Sequence, residues 1–138
     1  MMKVILCDID GTIALRGDRA PHDHDSSMED GVNWAVVRVC DALRNAGYPV
    51  ILLSGRDEKY RDVTEYWLRA HCIMGYRRAL YLRPAGDNRA DEIVKCEMYE
   101  QHIKPHYEVM AVLDDRSRVV AMWRELGLTC LQVAEGNF

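Results

Sequence analysis

Two aspartates that directly follow an apolar run limit the folds open to this chain. Residues 3–7 read Lys-Val-Ile-Leu-Cys and lead straight into Asp8 and Asp10. A continuous apolar run of this length is typical of a strand that is buried on both faces, at the centre of a parallel sheet. Open α/β sheets bind their ligands at the carboxyl ends of such strands. Because carboxylates near a core need a cation or hydrogen bonds, we expect Asp8 and Asp10 to form a metal-assisted catalytic pair.

Strand and helix patterns alternate along the rest of the chain. The predicted strands span residues 3–8, 49–53, 79–82, 109–113 and 129–133, and the predicted helices span 30–46, 58–71, 90–102 and 117–126. This order predicts a doubly wound α/β fold: a three-layer parallel sheet of about five strands with helices on both faces. The length of 138 residues fits a single domain over residues 1–138.

Residues 16–27 lack an apolar period and contain glycine and proline, so we predict a short flap after the first strand and no large cap domain. The flap includes His22-Asp23-His24-Asp25, which has the composition of a metal-binding tract. We predict instead a solvated segment that can touch substrate.

Helical periodicity predicts which side chains of the helices face the core. Trp34, Trp67 and Trp123 fall on apolar stripes of three predicted helices, which favours a place in the core over a role as base-stacking platforms. On the third helix, Ile93, Cys96 and either Met98 or Tyr99 are predicted to face inward.

Polar residues follow three of the predicted strands, and the carboxyl ends of parallel strands share one edge of a sheet. The residues concerned are Asp8, Asp10, Ser54, Asp114 and Asp115, with Lys95 on the predicted third helix. Four carboxylates together repel strongly unless a cation lies among them. Ligand sets made only of oxygen favour Mg²⁺ over zinc. We therefore predict a magnesium site at this edge, suited to binding a phosphate oxygen.

Chemistry suggests a role for each of these groups. One carboxylate can attack a phosphoryl group and form an acyl phosphate, and a second one, two residues later, can act as the general acid and base. Ser54 can donate a hydrogen bond to a phosphoryl oxygen, and Lys95 can neutralise the charge that accumulates. Asp114 and Asp115 can complete the metal shell.

Structural explanations compete with these roles. An aspartate-rich surface turn would account for Asp8 and Asp10, and Ser54 could cap the helix that follows it. Asp115 could equally cap the helix predicted from residue 117. The buried strands that precede Asp8 and Asp114 favour the functional interpretation.

The same residues resemble the four motifs of the haloacid dehalogenase superfamily of phosphohydrolases. The motifs are Asp8-Ile9-Asp10-Gly11-Thr12, Ser54, Lys95 and Asp114-Asp115, in the order and spacing of that superfamily. The resemblance implies that Asp8 is the nucleophile and Asp10 the acid/base. It also implies that Mg²⁺ is bound by Asp8, by the backbone carbonyl of Asp10 and by the acids at Asp114 and Asp115.

Within this superfamily the chain is similar to the C-terminal 3'-phosphatase domains of the polynucleotide kinases of T-even bacteriophages, from Asp8 to Phe138. The resemblance implies removal of a 3'-phosphate, or a 2',3'-cyclic phosphate, from DNA or RNA ends during repair. The residues implied in phosphate or substrate binding are Thr12, Arg19, Ser54, Gly55, Arg56, Arg89, Asp91 and Lys95. The chain has no G-x-x-x-x-G-K-[ST] motif, so we expect no 5'-kinase activity, and a kinase or ligase partner would be another chain.

Two other functions remain open at this stage. A small-molecule phosphatase acting on nucleotides or sugar phosphates would use the same motifs, although a site without a large cap suits a macromolecular end better. A phospho-receiver signalling domain also places acids and a lysine around Mg²⁺. Its accepting aspartate lies on the third strand and its lysine on the last, and that order argues against it here.

Charge and cysteine content set broader limits. The net charge of −4 argues against a globally basic nucleic-acid binder. The five cysteines occur without a C-x-x-C spacing, which predicts buried free thiols in a reducing cytoplasm and neither disulfides nor zinc. No stretch is long and apolar enough to cross a membrane. The oligomeric state, which could be a homo-oligomer, is left open.

Overall fold

The computed structural model describes residues 1–73 and 79–138 of the chain. The strands are β1 (Met2–Cys7), β2 (Ala14–Leu15), β3 (Gly31–Val32), β4 (Val50–Asp57), β5 (Leu80–Arg83), β6 (Tyr107–Asp114) and β7 (Cys130–Gln132). The α-helices are α1 (Trp34–Asn45), α2 (Arg61–Ala70), α3 (Asp91–Met98) and α4 (Ser117–Glu125). A five-stranded sheet has the order β5-β4-β1-β6-β7, and every neighbouring pair in it is parallel. The predicted α/β architecture is confirmed, and no cap domain is inserted within the described ranges.

Strand β1 lies at the centre of the sheet and is buried on both faces, as its apolar run predicts. Val4, Ile5, Leu6 and Cys7 are each at most 1% exposed. Ile5 and Cys7 pack into one hydrophobic cluster, and Val4 and Leu6 pack into another on the opposite face. This alternation follows from the two-residue period of a strand.

Helices cover both faces of the sheet. The cluster around α1 and α2 includes Trp67, and the cluster around α3 and α4 includes Trp123. Helix α3 continues into a π-helical turn, Tyr99–Ile103, so the helical segment reaches the end predicted for it. In the part of the chain that the structure describes, no helix has the length and apolarity that a bilayer crossing requires.

Strand register brings the predicted polar residues to one edge. Cys7 pairs with Leu52 of β4 and with Leu113 of β6. Asp8 comes directly after Cys7, and its amide donates a hydrogen bond to the carbonyl oxygen of Leu113 at 3.0 Å. Asp114 comes directly after Leu113. The carboxyl ends of β1, β4 and β6 therefore meet, as parallel pairing requires.

The flap is rooted in a small antiparallel hairpin, which pairs β2 with β3. A 3₁₀ turn, Ser27–Glu29, precedes β3. The prediction that a helix begins at residue 30 is therefore wrong, since residues 31–32 are a strand and α1 begins at Trp34. Strand β4 also runs past its predicted end at residue 53 and reaches Asp57.

Two residues that were predicted to face the core lie at the surface. Trp34 was expected in the core but is 46% exposed, because α1 turns Val36, Val37 and Cys40 inward. Ile93 was also expected to face inward and is 47% exposed. On α3 the buried side chains are Val94, Lys95 and Met98.

The cysteines are free, as predicted, but only part of the set is buried. Cys7, Cys40 and Cys130 are buried, whereas Cys72 is exposed and Cys96 is half-buried. The expectation of uniformly buried thiols is therefore wrong for the last two, which lie at a helix end and on an outer helical face.

Trp67 joins the core to the flap, and its replacement tests that connection. The Trp67 side chain is buried, and its indole N–H donates to the carbonyl oxygen of Asp30 at 2.9 Å. Trp67→Phe is expected to lower the free energy of unfolding by about 2–4 kcal/mol, because it leaves a small cavity and an unpaired carbonyl. Trp34→Phe, at an exposed position, should change it by less than about 0.5 kcal/mol. Urea titration followed by circular dichroism measures both, and equal losses would contradict this assignment.

Candidate active site

Three buried carboxylates lie together at the carboxyl edge of the sheet. Oxygen atoms of Asp8, Asp114 and Asp115 all lie within 4.8 Å of one another, and these side chains are at most 6% exposed. Asp8 follows β1, and Asp114 and Asp115 stand where β6 ends. We call this group the acid cluster.

Lys95 places a positive charge inside the acid cluster. Its ammonium group lies 2.8 Å from Asp8 Oδ1 and 3.1 Å from Asp114 Oδ2, and the residue is 1% exposed. Helix α3 turns Lys95 toward the sheet one residue after the buried Val94. The sequence predicted Lys95 at the carboxyl edge of the sheet, from the strand ends and one helix. The structure brings Lys95 into contact with both Asp8 and Asp114.

Asp114 is fixed by groups from three directions. Oδ2 accepts hydrogen bonds from Lys95 and, at 3.2 Å, from the indole N–H of Trp123. Oδ1 accepts the backbone N–H of Asp115 at 2.8 Å. The indole contact was not predicted, because nothing in the helical stripe that contains Trp123 indicates its partner.

Thr12 and Gly11 close the acid cluster from the β1 side. The Thr12 hydroxyl lies 3.1 Å from Asp8 Oδ2 and 3.3 Å from Asp115 Oδ1. Gly11 has a φ of +79°, and a Cβ there would collide with the Asp115 carboxylate. The close approach of these segments therefore requires glycine at position 11. Thr12 is fully buried, and its expected contact with a phosphate stays a prediction.

The electrostatics of the acid cluster suit a bound cation. Burial and the negative charge of Asp114 raise the pKa of Asp8 well above its ordinary range, although Lys95 opposes this shift. Burial and Asp114 also raise the pKa of Asp115. Burial opposes the charge of Lys95, but Asp114 and Asp8 raise its pKa, so it stays protonated. Oxygen ligands that repel one another fit a hard divalent cation, which would favour their ionised forms.

Asp10 lies outside the acid cluster and is bound by two arginines. Arg56 donates Nε to Asp10 Oδ2 at 2.8 Å and a terminal nitrogen to Oδ1 at 2.7 Å. Arg19 from the flap adds a contact of 3.0 Å to Oδ1. The Asp10 side chain does not join the described acid cluster. Its predicted role as a metal ligand, through the backbone carbonyl, stays a prediction.

Asp30 is the counter-ion of the same arginines, and the sequence did not identify it. Arg19 Nε and one terminal nitrogen donate to the two Asp30 oxygens at 2.7 and 2.8 Å, and Arg56 approaches Asp30 Oδ2 at 3.4 Å. The Asp30 side chain is 1% exposed. The sequence shows only an acid where the flap meets the predicted helix. The prediction places that acid at the start of the helix.

These arginines set the ionisation of Asp10. Burial raises the pKa of its carboxyl group, but the hydrogen bonds and charge of Arg56, with the charge of Arg19, outweigh burial and lower the pKa overall. Asp10 is thus ionised at neutral pH. Arg56 is 2% exposed and also donates to the Thr64 hydroxyl at 2.9 Å. The predicted contacts of Arg19 and Arg56 with a phosphate stay predictions.

The end of β4 supplies a hydroxyl group and a close backbone contact. Ser54 is buried, and its Oγ accepts the backbone N–H of Arg56 at 3.1 Å. A Cβ on Gly55 would collide with the Asp91 carboxylate, so the glycine admits this acid beside the strand. Asp91 pairs with Arg83 at 2.8 Å. Asp91 is therefore held by Arg83 in a position where it supports the backbone at Gly55.

Arg89 lies at the surface, between two carboxylates. Its terminal nitrogen contacts Asp87 at 2.7 Å and Glu97 at 2.6 Å, and its side chain is 48% exposed. The structure does not bring Arg89 into contact with the acid cluster. Its predicted substrate contact would require it to leave these two partners.

His24 corrects the prediction of a wholly solvated flap. His22 is exposed, but His24 is half-buried and packs edge-on against Tyr60, with ring centroids 5.2 Å apart. Burial lowers the pKa of His24. Its carbonyl oxygen accepts the Ser27 hydroxyl at 2.6 Å, so this part of the flap is folded onto the β4 side of the site.

The fold and the two groups of charges define a Rossmann-like phosphohydrolase of the haloacid dehalogenase superfamily. Residues 2–138 match the family model described as "Polynucleotide kinase PNKP phosphatase domain". The chain belongs to this family.

Known relatives agree with this assignment. The chain is 33% identical over 127 residues to a putative bifunctional polynucleotide kinase/RNA ligase of Autographa californica nuclear polyhedrosis virus, covering 90% of this chain and 18% of the relative. It also resembles chains in two solved structures, of a Pnkp1/Rnl/Hen1 complex and of the Pnkp1/Rnl/Hen1 RNA repair complex. Identities are 41% and 40%, TM-scores are 0.94 for both, and 99% of this chain is covered in each. The chain spans 47% and 44% of those solved chains.

The thermal stability of the cation-free protein should depend on the repulsion between the carboxylates of the acid cluster. Because Asp8 has a raised pKa when folded, its ionisation destabilises the fold as pH rises through that pKa. We expect Asp8→Asn to raise the melting temperature in EDTA by several degrees at about pH 8 and by less at about pH 5. Magnesium should stabilise the unmutated protein and have a much smaller effect on the variant.

Differential scanning calorimetry measures these shifts. Asp41→Asn is a matched control, since Asp41 is an exposed acid that pairs with Arg44. A loss of stability for Asp8→Asn in EDTA at the higher pH would contradict the repulsion described here.

Proposed function

We propose that this chain is a Mg²⁺-dependent phosphatase that removes a 3'-phosphate, or a 2',3'-cyclic phosphate, from polynucleotide ends. The observation that carries the proposal is the position of Asp8, between the Lys95 ammonium and the acids Asp114 and Asp115. A carboxylate at this position has an ammonium group beside it that neutralises charge, and it has neighbouring carboxylates that can bind the same metal ion. Membership of the phosphatase-domain family supports the same reaction.

Asp8 would be the nucleophile. Its carboxylate attacks phosphorus, the bond to the terminal 3'-oxygen breaks, and a phospho-aspartate forms. Water then attacks that phosphorus, which releases inorganic phosphate and restores the carboxylate. Lys95 would hold Asp8 in place and offset the charge on the phosphoryl oxygens, and Ser54 would donate its hydroxyl proton to one of them.

Asp10 would be the general acid and base. Ionised between Arg19 and Arg56, it is ready to take a proton from the attacking water. For the first step it must carry a proton to the leaving oxygen. An entering phosphate would compete for the two guanidinium groups, weaken their hold on Asp10 and so raise its pKa.

The cation would be held by Asp8, Asp114 and Asp115, with the backbone carbonyl of Asp10. All are oxygen ligands, which favours Mg²⁺ over zinc. When bound, Mg²⁺ would neutralise phosphoryl charge and orient the phosphate. Asp91 would act as a support for Gly55 and Lys95, not as a direct phosphate ligand.

The substrate class rests on the relatives and on the open site. The named relatives are a polynucleotide kinase/RNA ligase and the chains of an RNA repair complex, so a DNA or RNA end is the expected substrate. We expect residues 1–138 to act as one phosphatase domain, with a kinase or ligase activity supplied elsewhere. A cytoplasmic location fits the free thiols.

Release of inorganic phosphate in the presence of Mg²⁺ tests the substrate class. We expect kcat/KM for a 3'-phosphorylated oligonucleotide to exceed that for the 5'-phosphorylated strand and for sugar phosphates by at least about a hundredfold. If free nucleotides or sugar phosphates are preferred by orders of magnitude, the chain is a small-molecule phosphatase.

Asp8→Asn tests the nucleophile on the same substrate. We expect it to lower kcat by about three orders of magnitude or more, because no acyl phosphate can form. Asp41→Asn is a control at an acid outside the acid cluster, whose side chain is 46% exposed and pairs with Arg44. Retained turnover by the folded Asp8→Asn protein would exclude Asp8 as the nucleophile.

Asp10→Asn tests the acid and base. We expect kcat to fall by about 10²–10⁴, with a smaller loss for a substrate whose leaving group is a good one, such as p-nitrophenyl phosphate. Equal losses on both substrates would show that Asp10 does not protonate the leaving oxygen.

A further inference from the structure

Trp34 is an exposed aromatic residue next to the hairpin that joins the flap to the active site. It is the first residue of α1 and is 46% exposed. Hydrogen-bonded neighbours connect it to the site, since Asp10 bridges to Ala14 and Ala14 pairs with Val32, two residues before Trp34. Standard strand and Cα spacings place Trp34 within about 19 Å of Asp10 along this path. That distance suits a strand that enters the site by its 3' end.

Arg38 completes the exposed pair. Its guanidinium carbon lies 5.6 Å from the centroid of the Trp34 ring, one helical turn farther along α1. Arg38 is exposed and, within the described ranges, makes no salt bridge, unlike Arg44 on the same helix. Its charge is thus available to an outside anion.

We propose that Trp34 and Arg38 form a platform for the substrate strand upstream of its 3' end, with a base stacked on Trp34 and a backbone phosphate at Arg38. This proposal rests on the proposed function and names the contact that would distinguish a polynucleotide end from a free nucleotide. Arg38 lies over one face of the Trp34 ring, so the base would stack on the opposite face. The guanidinium group, which makes no salt bridge within the described ranges, would then meet a backbone phosphate, in keeping with the alternation of bases and phosphates in a single strand. A docking site for a protein partner would instead expose a larger apolar surface, and it would not need a cation that lacks a salt-bridge partner.

The internal tryptophans allow a direct test of binding. The chain has three tryptophans, and Trp67 and Trp123 are each 1% exposed. Because only an exposed ring can stack on a base, an oligonucleotide that ends in a 3'-hydroxyl should quench mainly the emission of Trp34, without catalysis or added metal. We expect saturable quenching in the unmutated protein and its loss in Trp34→Phe. Quenching that persists in Trp34→Phe, or is absent from both, overturns the platform.

Kinetics test whether the platform acts on substrate. Trp34→Ala should lower kcat/KM for a 3'-phosphorylated octanucleotide by about 5- to 30-fold, mainly through KM, and leave a nucleoside 3'-monophosphate unchanged. Trp34→Phe should retain activity within about threefold, because a phenyl ring still stacks. Arg38→Ala should weaken octanucleotide binding and reduce its dependence on salt.

Tyr66→Ala is the matched control, since Tyr66 is 51% exposed on α2. Equal losses on the octanucleotide and the mononucleotide, or no loss on either, overturn the platform but leave the proposed phosphatase intact. If the unmutated protein releases no phosphate from any 3'-phosphorylated strand, the proposed function fails. The quenching experiment then still decides whether Trp34 binds a strand.

Discussion

The buried contact of Lys95 with Asp8 and Asp114 is the interaction on which the arrangement of the site depends. Three buried carboxylates with one ammonium leave an excess of two negative charges in a region from which water is excluded. Such an excess is costly in an interior. A divalent cation would balance it, which explains in physical terms why acids gather where strands β1 and β6 end. The raised pKa of Asp8 is the consequence of burying these acids close together.

The second half of the site is balanced without a cation. Asp10 and Asp30 carry two negative charges and Arg19 and Arg56 carry two positive ones, and direct contacts join all four. An entering phosphate adds negative charge to this group and must take guanidinium contacts from an aspartate. The proposed change in the protonation of Asp10 follows from that competition, so binding and acid catalysis would be coupled through the same two arginines.

The sequence predicted the sheet and the acid cluster because the apolar runs identify the strands and parallel pairing aligns their ends. It could not predict the partners of Arg19 and Arg56, since Asp30 reaches them through a hairpin of two-residue strands that has no pattern of its own. The same hairpin occupies residues 31–32, so α1 begins only at Trp34, and it buries Val36, Val37 and Cys40. Trp34, at the first position of α1, is left at the surface, while Val36, Val37 and Cys40 of the same helix are buried.

The residues that flank strand β3 of the flap hairpin lie in two different environments. Asp30 directly precedes β3, binds Arg19 and Arg56, and through them fixes Asp10, while Trp34 follows β3 and faces solvent. A strand bound at Trp34 would lie next to the same short hairpin that holds the counter-ion of the arginines. Contact with the upstream nucleotides and the ionisation of Asp10 would then share one element of structure. Under the proposed function, the platform would let a small domain without a cap favour a polynucleotide over a free phosphate ester.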